Sequence, residues 1–324
     1  LGMSYASFDV LESRSSWIDN TRRRFGAGLA SSVPEPQASF GMGLLIGQRS
    51  TIPADITAQL SIVGLTHVIA VSGYNLTIIM RAVRKLLEKR SKYQSTVLSL
   101  GLIAVFLLMT GLSASIVRAA IVSGLSIVAW HYGRTFKPML LLSLAAVMTA
   151  GWNPFYLWND IGWYLSFLAF FGVLILAPLI QKRFLTNKNP RILGSIMLES
   201  VAALVMTIPL VLFVFKQISL VALPANLIIV PLVPLAMLFS LIAGIAGMFV
   251  PAIAGIIAWP ATVLMTAMLD IVQIISRVPH ALARRSLTLN GMLAWYGCLV
   301  FVTLIIWRAT SKNAKITDMK TESI

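Results

Sequence analysis

The sequence predicts an all-α polytopic membrane protein, with about ten transmembrane segments, some short or broken, plus an N-terminal amphipathic helix. Composition carries most of that prediction. Hydrophobic residues make up 58% of the 324 and charged residues 11%, with a mean hydropathy of +0.85. Soluble domains carry roughly 25% charged residues, so these side chains cannot cover a globular surface, and a soluble enzyme with a large core is excluded. The second observation is where the cations sit. The net charge of +15 is gathered in short runs between apolar stretches, the distribution that orients membrane proteins and that anionic lipid also attracts. By itself it is a weak argument for nucleic acid. The third is spacing, since the apolar stretches recur at lengths near the ~20 residues that one crossing needs. The single cysteine, Cys298, allows no disulfide within the chain.

Residues 1–35 form a polar, mixed segment. Trp17, Ile18, Phe25 and Leu29 fall near helical spacing with Arg22, Arg23 and Arg24 between them, the pattern of a helix lying on the membrane. Pro34 and Pro36 end it. The stretch SFGMGLLIGQRSTIP is too short to span and reads as a half-buried or re-entrant element, and its Gly43 and Gly47 would permit close helix packing. Residues 36–308 make the transmembrane domain. Its spans are expected at about 62–80, 95–111, 114–132, 138–151, 160–180, 193–215, 218–234, 235–250, 252–276 and 289–308. Pro224, Pro231 and Pro234 interrupt residues 218–250, which are read as two crossings with the first broken. Residues 309–324 form a basic polar tail.

Lys and Arg set the orientation. The runs at 81–92, 134–137 and 182–191 alternate as cytoplasmic loops should. Ten spans keep Arg277, Arg284 and Arg285 inside but put the basic tail outside. Nine spans move that conflict to the 277–285 loop.

Under this orientation His67, Arg118 and Asp160 fall at the outer ends of three different segments. An Arg or Asp at a helix centre costs roughly 2.5–3.5 kcal/mol on insertion scales. Three such residues at similar depth therefore suggest a polar mouth, or an Arg118–Asp160 structural pair with Asp160 also capping its helix. Within HVIAVSGYNLT, Ser72 lies about 140° and Asn75 about 80° around an ideal helix from His67, so all three share one arc. Gly73 weakens the helix there, and irregular backbone in a bilayer belongs where protein or water satisfies it. The segment is expected to face the bundle interior. A serine hydrolase using Ser72 and His67 is disfavoured by that angle. His67, His131 and His280 show no metal-ligand spacing, and no metal or other cofactor is expected. Glu199 and Asp270, isolated acids in apolar helices, are placed on the inner side, lining an exit or making one interhelical hydrogen bond each. Trp152, Phe155, Tyr156, Trp158, Trp163 and Tyr164 read as an interfacial aromatic belt or as a platform for stacking bases.

Four fragments in order, GLTHVIAVSGYNLTII, TGLSASIVRAA, DIGWYLSFLAFFGVLIL and TIPLVLFVFKQISLVALPANLIIVPLVP, resemble the successive signatures of the ComEC-type competence domain over roughly residues 24 to 280. The resemblance implies an inner-membrane channel that passes one DNA strand into the cytoplasm during natural transformation. Carried over by position, its motif residues are His67, Ser72, Gly73, Arg118, Asp160, Ser166, Pro224 and Asn226. Asn75 stands where the family often has a second histidine, and Tyr164 where a glutamine is common, so no titrating imidazole is available at position 75. Some members also carry OB-like and metallo-β-lactamase-like nuclease domains, neither of which is visible in this sequence. No P-loop motif is present, so neither nuclease nor motor chemistry is expected of the chain.

The expected substrate path therefore comprises His67, Ser72, Gly73, Asn75, Arg118, Asp160, Ser166 and Asn226. The expected partners are single-stranded DNA, membrane lipids and other competence proteins such as a DNA receptor, a helicase or a nuclease. A secondary permease for a small anionic or lipid-linked solute is the alternative, since broken helices also build transporter sites.

Overall fold

The computed structural model describes residues 17–48, 50–69, 76, 90–111, 114–134, 138–184 and 192–321. Nearly all of them are helical. The exception is one two-stranded antiparallel pair, β1 (Gln217–Ser219) with β2 (Leu282–Arg284), in the register Gln217 to Arg284 and Ser219 to Leu282. The chain is an all-α polytopic membrane protein. Among the described residues six runs are long and apolar enough to cross a bilayer: Lys92–Thr110, Ile161–Arg183, Met197–Phe215, Ala222–Phe249, Pro251–Ser276 and Leu289–Arg308. Gln37–Ile46, Ala54–Val63, Ser115–His131 and Pro138–Trp152 are shorter apolar helices.

Helix α1 (Trp17–Ser32) buries Phe25, Gly28, Leu29 and Ser32, one face at helical spacing, and leaves Trp17 77% exposed. That face packs on α13 (Val233–Phe249). The approach is close because both sides are small. A Cβ at Gly28 would stand 2.7 Å from the Gly244 carbonyl, and one at Gly247 would overlap the Gly28 backbone. Ser32 Oγ donates to the Ala243 carbonyl at 3.2 Å, closing the contact. Helix α2 (Gln37–Ile46) is buried over almost its whole length. Its ten residues reach about 15 Å, half a bilayer core, too short to span as expected. Gly47 ends α2 in the left-handed region, φ 76°, with its N–H on the Gly43 carbonyl.

Helix α3 (Ala54–Val63) ends at Gly64, φ 78°, and leads into the short α4 (Thr66–Ile69). The first expected span, 62–80, and the basic run that follows it lie largely outside the described residues. Helix α5 (Lys92–Thr110) is capped by Ser91, whose side chain accepts from the Gln94 N–H at 3.2 Å, a contribution of about 1 kcal/mol. It packs on α6 (Ala114–His131), and Thr96 Oγ1 meets His131 Nδ1 at 2.9 Å across that contact. His131 is thus engaged in holding two helices together. After α7 (Pro138–Trp152) and the single turn α8 (Tyr156–Asn159), one long run comprises α9 (Ile161–Phe171), a π-helical stretch Gly172–Leu176 and α10 (Ala177–Phe184). Its partner is α11 (Ile192–Phe215). The π stretch presses into α11 at Gly172, where a Cβ would lie 2.6 Å from the Ala202 carbonyl.

The structure departs from the expected two crossings over 218–250. Helix α12 (Ala222–Ile229), a 3-10 turn Val230–Leu232 and α13 form one run, 222–249. Pro224 falls in the first turn of α12, and Pro234 in the first turn of α13, where a missing N–H costs nothing. Pro231 lies within the tightened 3-10 turn. The prolines adjust the run without reversing it. Helix α14 (Pro251–Ser276) returns alongside α13, and β2 pairs back onto β1. Helix α15 (Leu289–Thr321) then runs antiparallel to α11: the Leu287 N–H meets the Leu212 carbonyl, and Tyr296 Oη donates to the Met206 carbonyl at 3.1 Å.

One apolar core joins α1, α2 and α3 to α13 and α14 and takes in residues from α5 and α6. A smaller one joins the π stretch and α10 to α11, with Leu299 of α15 packed against it.

Candidate functional site

Two groups of buried polar residues stand out. The first is built on Arg118, the largest fully buried side chain, at 0% exposure one turn into α6. Its Nη2 donates to the Gly162 carbonyl at 2.8 Å and its guanidinium lies 5.3 Å from the Phe167 ring centroid. Nε and Nη1 are buried and make no hydrogen bond. A buried donor left unpaired costs about 1–3 kcal/mol, more when charged. Asp160 is half-buried and accepts from the Trp163 N–H at 3.1 Å, capping α9. It is electrostatically coupled to Arg118, as is Tyr156. No ion pair within 4.0 Å joins Arg118 to Asp160; among the described residues that distance is met by Arg22 and Asp19. Arg118 is therefore held by a backbone carbonyl and a ring face. Trp163 is buried and donates Nε1–H to Thr149 Oγ1 at 3.0 Å, which fixes the start of α9 against α7. Ser166 lies half-buried on the same helix.

The second group surrounds Gly64. A methyl there would sit 2.9 Å from Ala222 Cβ and 3.1 Å from Ser219 Cβ. With φ at 78° as well, Gly64 is needed for both its turn and its contact. Three residues on, the exposed His67 holds Nδ1 at 3.2 Å from the Gly64 carbonyl. Across the contact, Asn226 is 5% exposed, and its Oδ1 and Ser219 Oγ are buried without a hydrogen-bond partner. The structure thus brings His67 and Asn226 onto adjoining elements, and Arg118, Asp160 and Ser166 onto another adjoining pair. Ser72, Gly73 and Asn75 lie outside the described residues.

Strand pairing and helix packing decide which residues share an end. The 161–184 run packs along α11 and only seven residues of sequence join the two, so they are antiparallel, and Asp160 and Lys216 lie at one end. β1 and β2 pair there too, which brings Arg277, Arg284 and Arg285, all exposed, to the Asp160 end. Asp270, exposed and six residues before the end of α14, lies toward that end as well. Their expected inner position came from counting ten crossings, two of them over 218–250, where the structure has the single run 222–249. The tail leaves in the opposite direction, toward the Lys182–Arg183 end, where α10 packs on α15. Glu199 is half-buried in the first third of α11, toward that same end. Of the aromatic residues, Trp152, Phe155 and Trp158 are 70–84% exposed, whereas Trp163 is buried.

Sequence reading missed Ser219, whose hydroxyl it had no reason to separate from a turn, and the Gly28–Gly244–Gly247 contact. The small residues of AGLAS and AGIAG were the available signal for the latter.

A family model described as Competence protein matches residues 44–310. The chain belongs to the competence protein family. It is 24% identical over 221 residues to ComE operon protein 3 of Bacillus subtilis (strain 168), and that match covers 66% of this chain and 27% of the relative. The chain therefore spans well under half the length of that relative. No solved structure matches it. Arg118, Asp160, Ser166, Asn226 and His67 all fall inside the family match.

Proposed function

We propose that this competence-family chain forms the membrane channel through which a single DNA strand enters the cytoplasm during DNA uptake, in the cytoplasmic membrane. Arg118 carries the reading: a fully buried cation, with two of its donor nitrogens unpaired, sits in a bundle that otherwise spends its polar groups sparingly. A strand bears one charge per nucleotide, and an isolated ion in hydrocarbon is prohibitively costly, so passage demands fixed donors at depth. Arg118 meets phosphate oxygens, for which a planar guanidinium is well matched. Ser166 and Asn226 replace water, and the exposed aromatics at the Asp160 end offer faces on which bases stack. The exposed cations Lys216, Arg277, Arg284 and Arg285 at that end draw the strand in. The chain contributes conduction and no bond cleavage; degradation and pulling of the strand fall to partner proteins.

The purified chain should bind single-stranded oligonucleotide, with an affinity that falls steeply as salt rises from 50 to 200 mM, as counterion release requires. Binding absent at low salt, or unchanged across that range, contradicts the reading. Cells lacking the chain should retain labelled DNA outside the membrane until it is restored.

A further inference from the structure

A cavity of about 290 Å³ opens between α1, α2 and the segment that follows α2, and none of the groups described above lies in it. Its polar lining is Arg22, Arg23, Glu35, Ser39, Gln48 and Thr51, and its apolar floor includes Ala27, Ala30 and Met42. Arg22 Nε is buried and has no hydrogen-bond partner, although Arg22 Nη2 donates to the Leu108 carbonyl. Asp19 approaches Nη1 at 3.7 Å, a loose pair that leaves Nε unmet. Glu35 is already engaged, its Oε2 accepting from the Ser39 N–H at 3.1 Å. Within the lining, two guanidinium groups thus face one committed carboxylate.

The residues around the cavity match those of a bilayer interface. Helix α1 lies along the span-capable 222–249 run. Trp17 is 77% exposed at its start, and Arg23 and Arg24 are exposed beside it, the aromatic and cationic anchors of a headgroup layer. Basic pockets between membrane helices hold anionic headgroups. We propose that this cavity binds an anionic phospholipid: the phosphate on Arg22 Nε and the Arg23 guanidinium, the headgroup hydroxyls on Gln48 and Thr51, and the glycerol stem over Ala27 and Met42. The lipid thereby bridges α1 to α2 and the segment that follows it.

Native mass spectrometry of the purified chain in neutral detergent, with added phosphatidylglycerol or phosphatidylcholine, tests this. The unaltered chain and Arg24→Gln should both prefer phosphatidylglycerol by about tenfold. Arg22→Gln/Arg23→Gln should lose the preference. Ala27→Leu, which fills the cavity and keeps every charge, should lose it too, with an unchanged unfolding temperature in lipid-free detergent; if it unfolds early, Arg23→Gln alone should still lower the preference severalfold. Equal affinity for the two lipids in the unaltered chain, or a preference that survives the double variant, would overturn the proposal. So would an oligonucleotide site that Ala27→Leu abolishes while phosphatidylglycerol binding persists.

Discussion

Arg118 is costly where it stands. Fully buried, it has a single protein hydrogen bond, to Gly162, and a ring face for company. A stabilising role would be served better by an apolar side chain of similar size, because replacing a buried charge with a hydrophobe is often neutral or favourable. Arg118→Met separates the two roles. The variant should accumulate normally and unfold within about 1–2 kcal/mol of the parent, while DNA uptake falls by about tenfold or more, the value of one charge-assisted phosphate contact. Normal uptake with normal folding would remove Arg118 from the path. A loss of folding that Lys rescues without restoring uptake would mark the geometry of the guanidinium as the requirement.

At the scale of elements, small residues decide which helices meet. Gly247 lets α13 touch the backbone of α1, and Gly247→Leu should push the two apart, lowering stability by about 1–3 kcal/mol and exposing α1 to limited proteolysis. Gly255, beside which nothing lies within 4 Å, should tolerate Leu with little change. Much of this level could be read from the sequence. The apolar runs and their order follow from composition and length, and the Asp160 cap from its place before an apolar run. That α2 cannot span follows from its shortness. Three features could not be read. Prolines 224, 231 and 234 look alike in sequence, yet two fall in first turns where they do no damage, so the run continues where a break was expected. Gly43–Gly47 and Gly244–Gly247 both resemble packing motifs, and only backbone geometry shows that Gly47 ends a helix. The neighbourhood of Gly64 with Ser219 and Asn226 joins residues more than 150 positions apart, and no periodicity encodes a contact of that range.

Over the whole molecule, the pairing of β1 with β2 fixes which charges share a face. Residue 285 and the tail are separated by one crossing, α15, so they should be modified from opposite sides. In a Cys298→Ser background, Arg285→Cys should react with an impermeant maleimide added outside intact cells, and Lys315→Cys only after the membrane is opened. The reverse pattern, Lys315→Cys reacting outside intact cells and Arg285→Cys only after the membrane is opened, would restore the ten-span count and return Arg277, Arg284 and Arg285 to the inner face. The expected labelling result, with Arg285→Cys reacting outside, would set this one loop against the usual cationic bias of cytoplasmic loops and make it the first to meet an incoming polyanion.

The central claim is that buried polar side chains on separate helices line the route of a DNA strand. Photo-crosslinking during uptake tests it most directly, with a photoreactive residue placed at Ser166, at Asn226, or at Ile256, which is 78% exposed on α14. Cells taking up labelled DNA should yield single-stranded adducts from positions 166 and 226 and none from 256. Continued DNA entry with adducts at neither 166 nor 226 would contradict it.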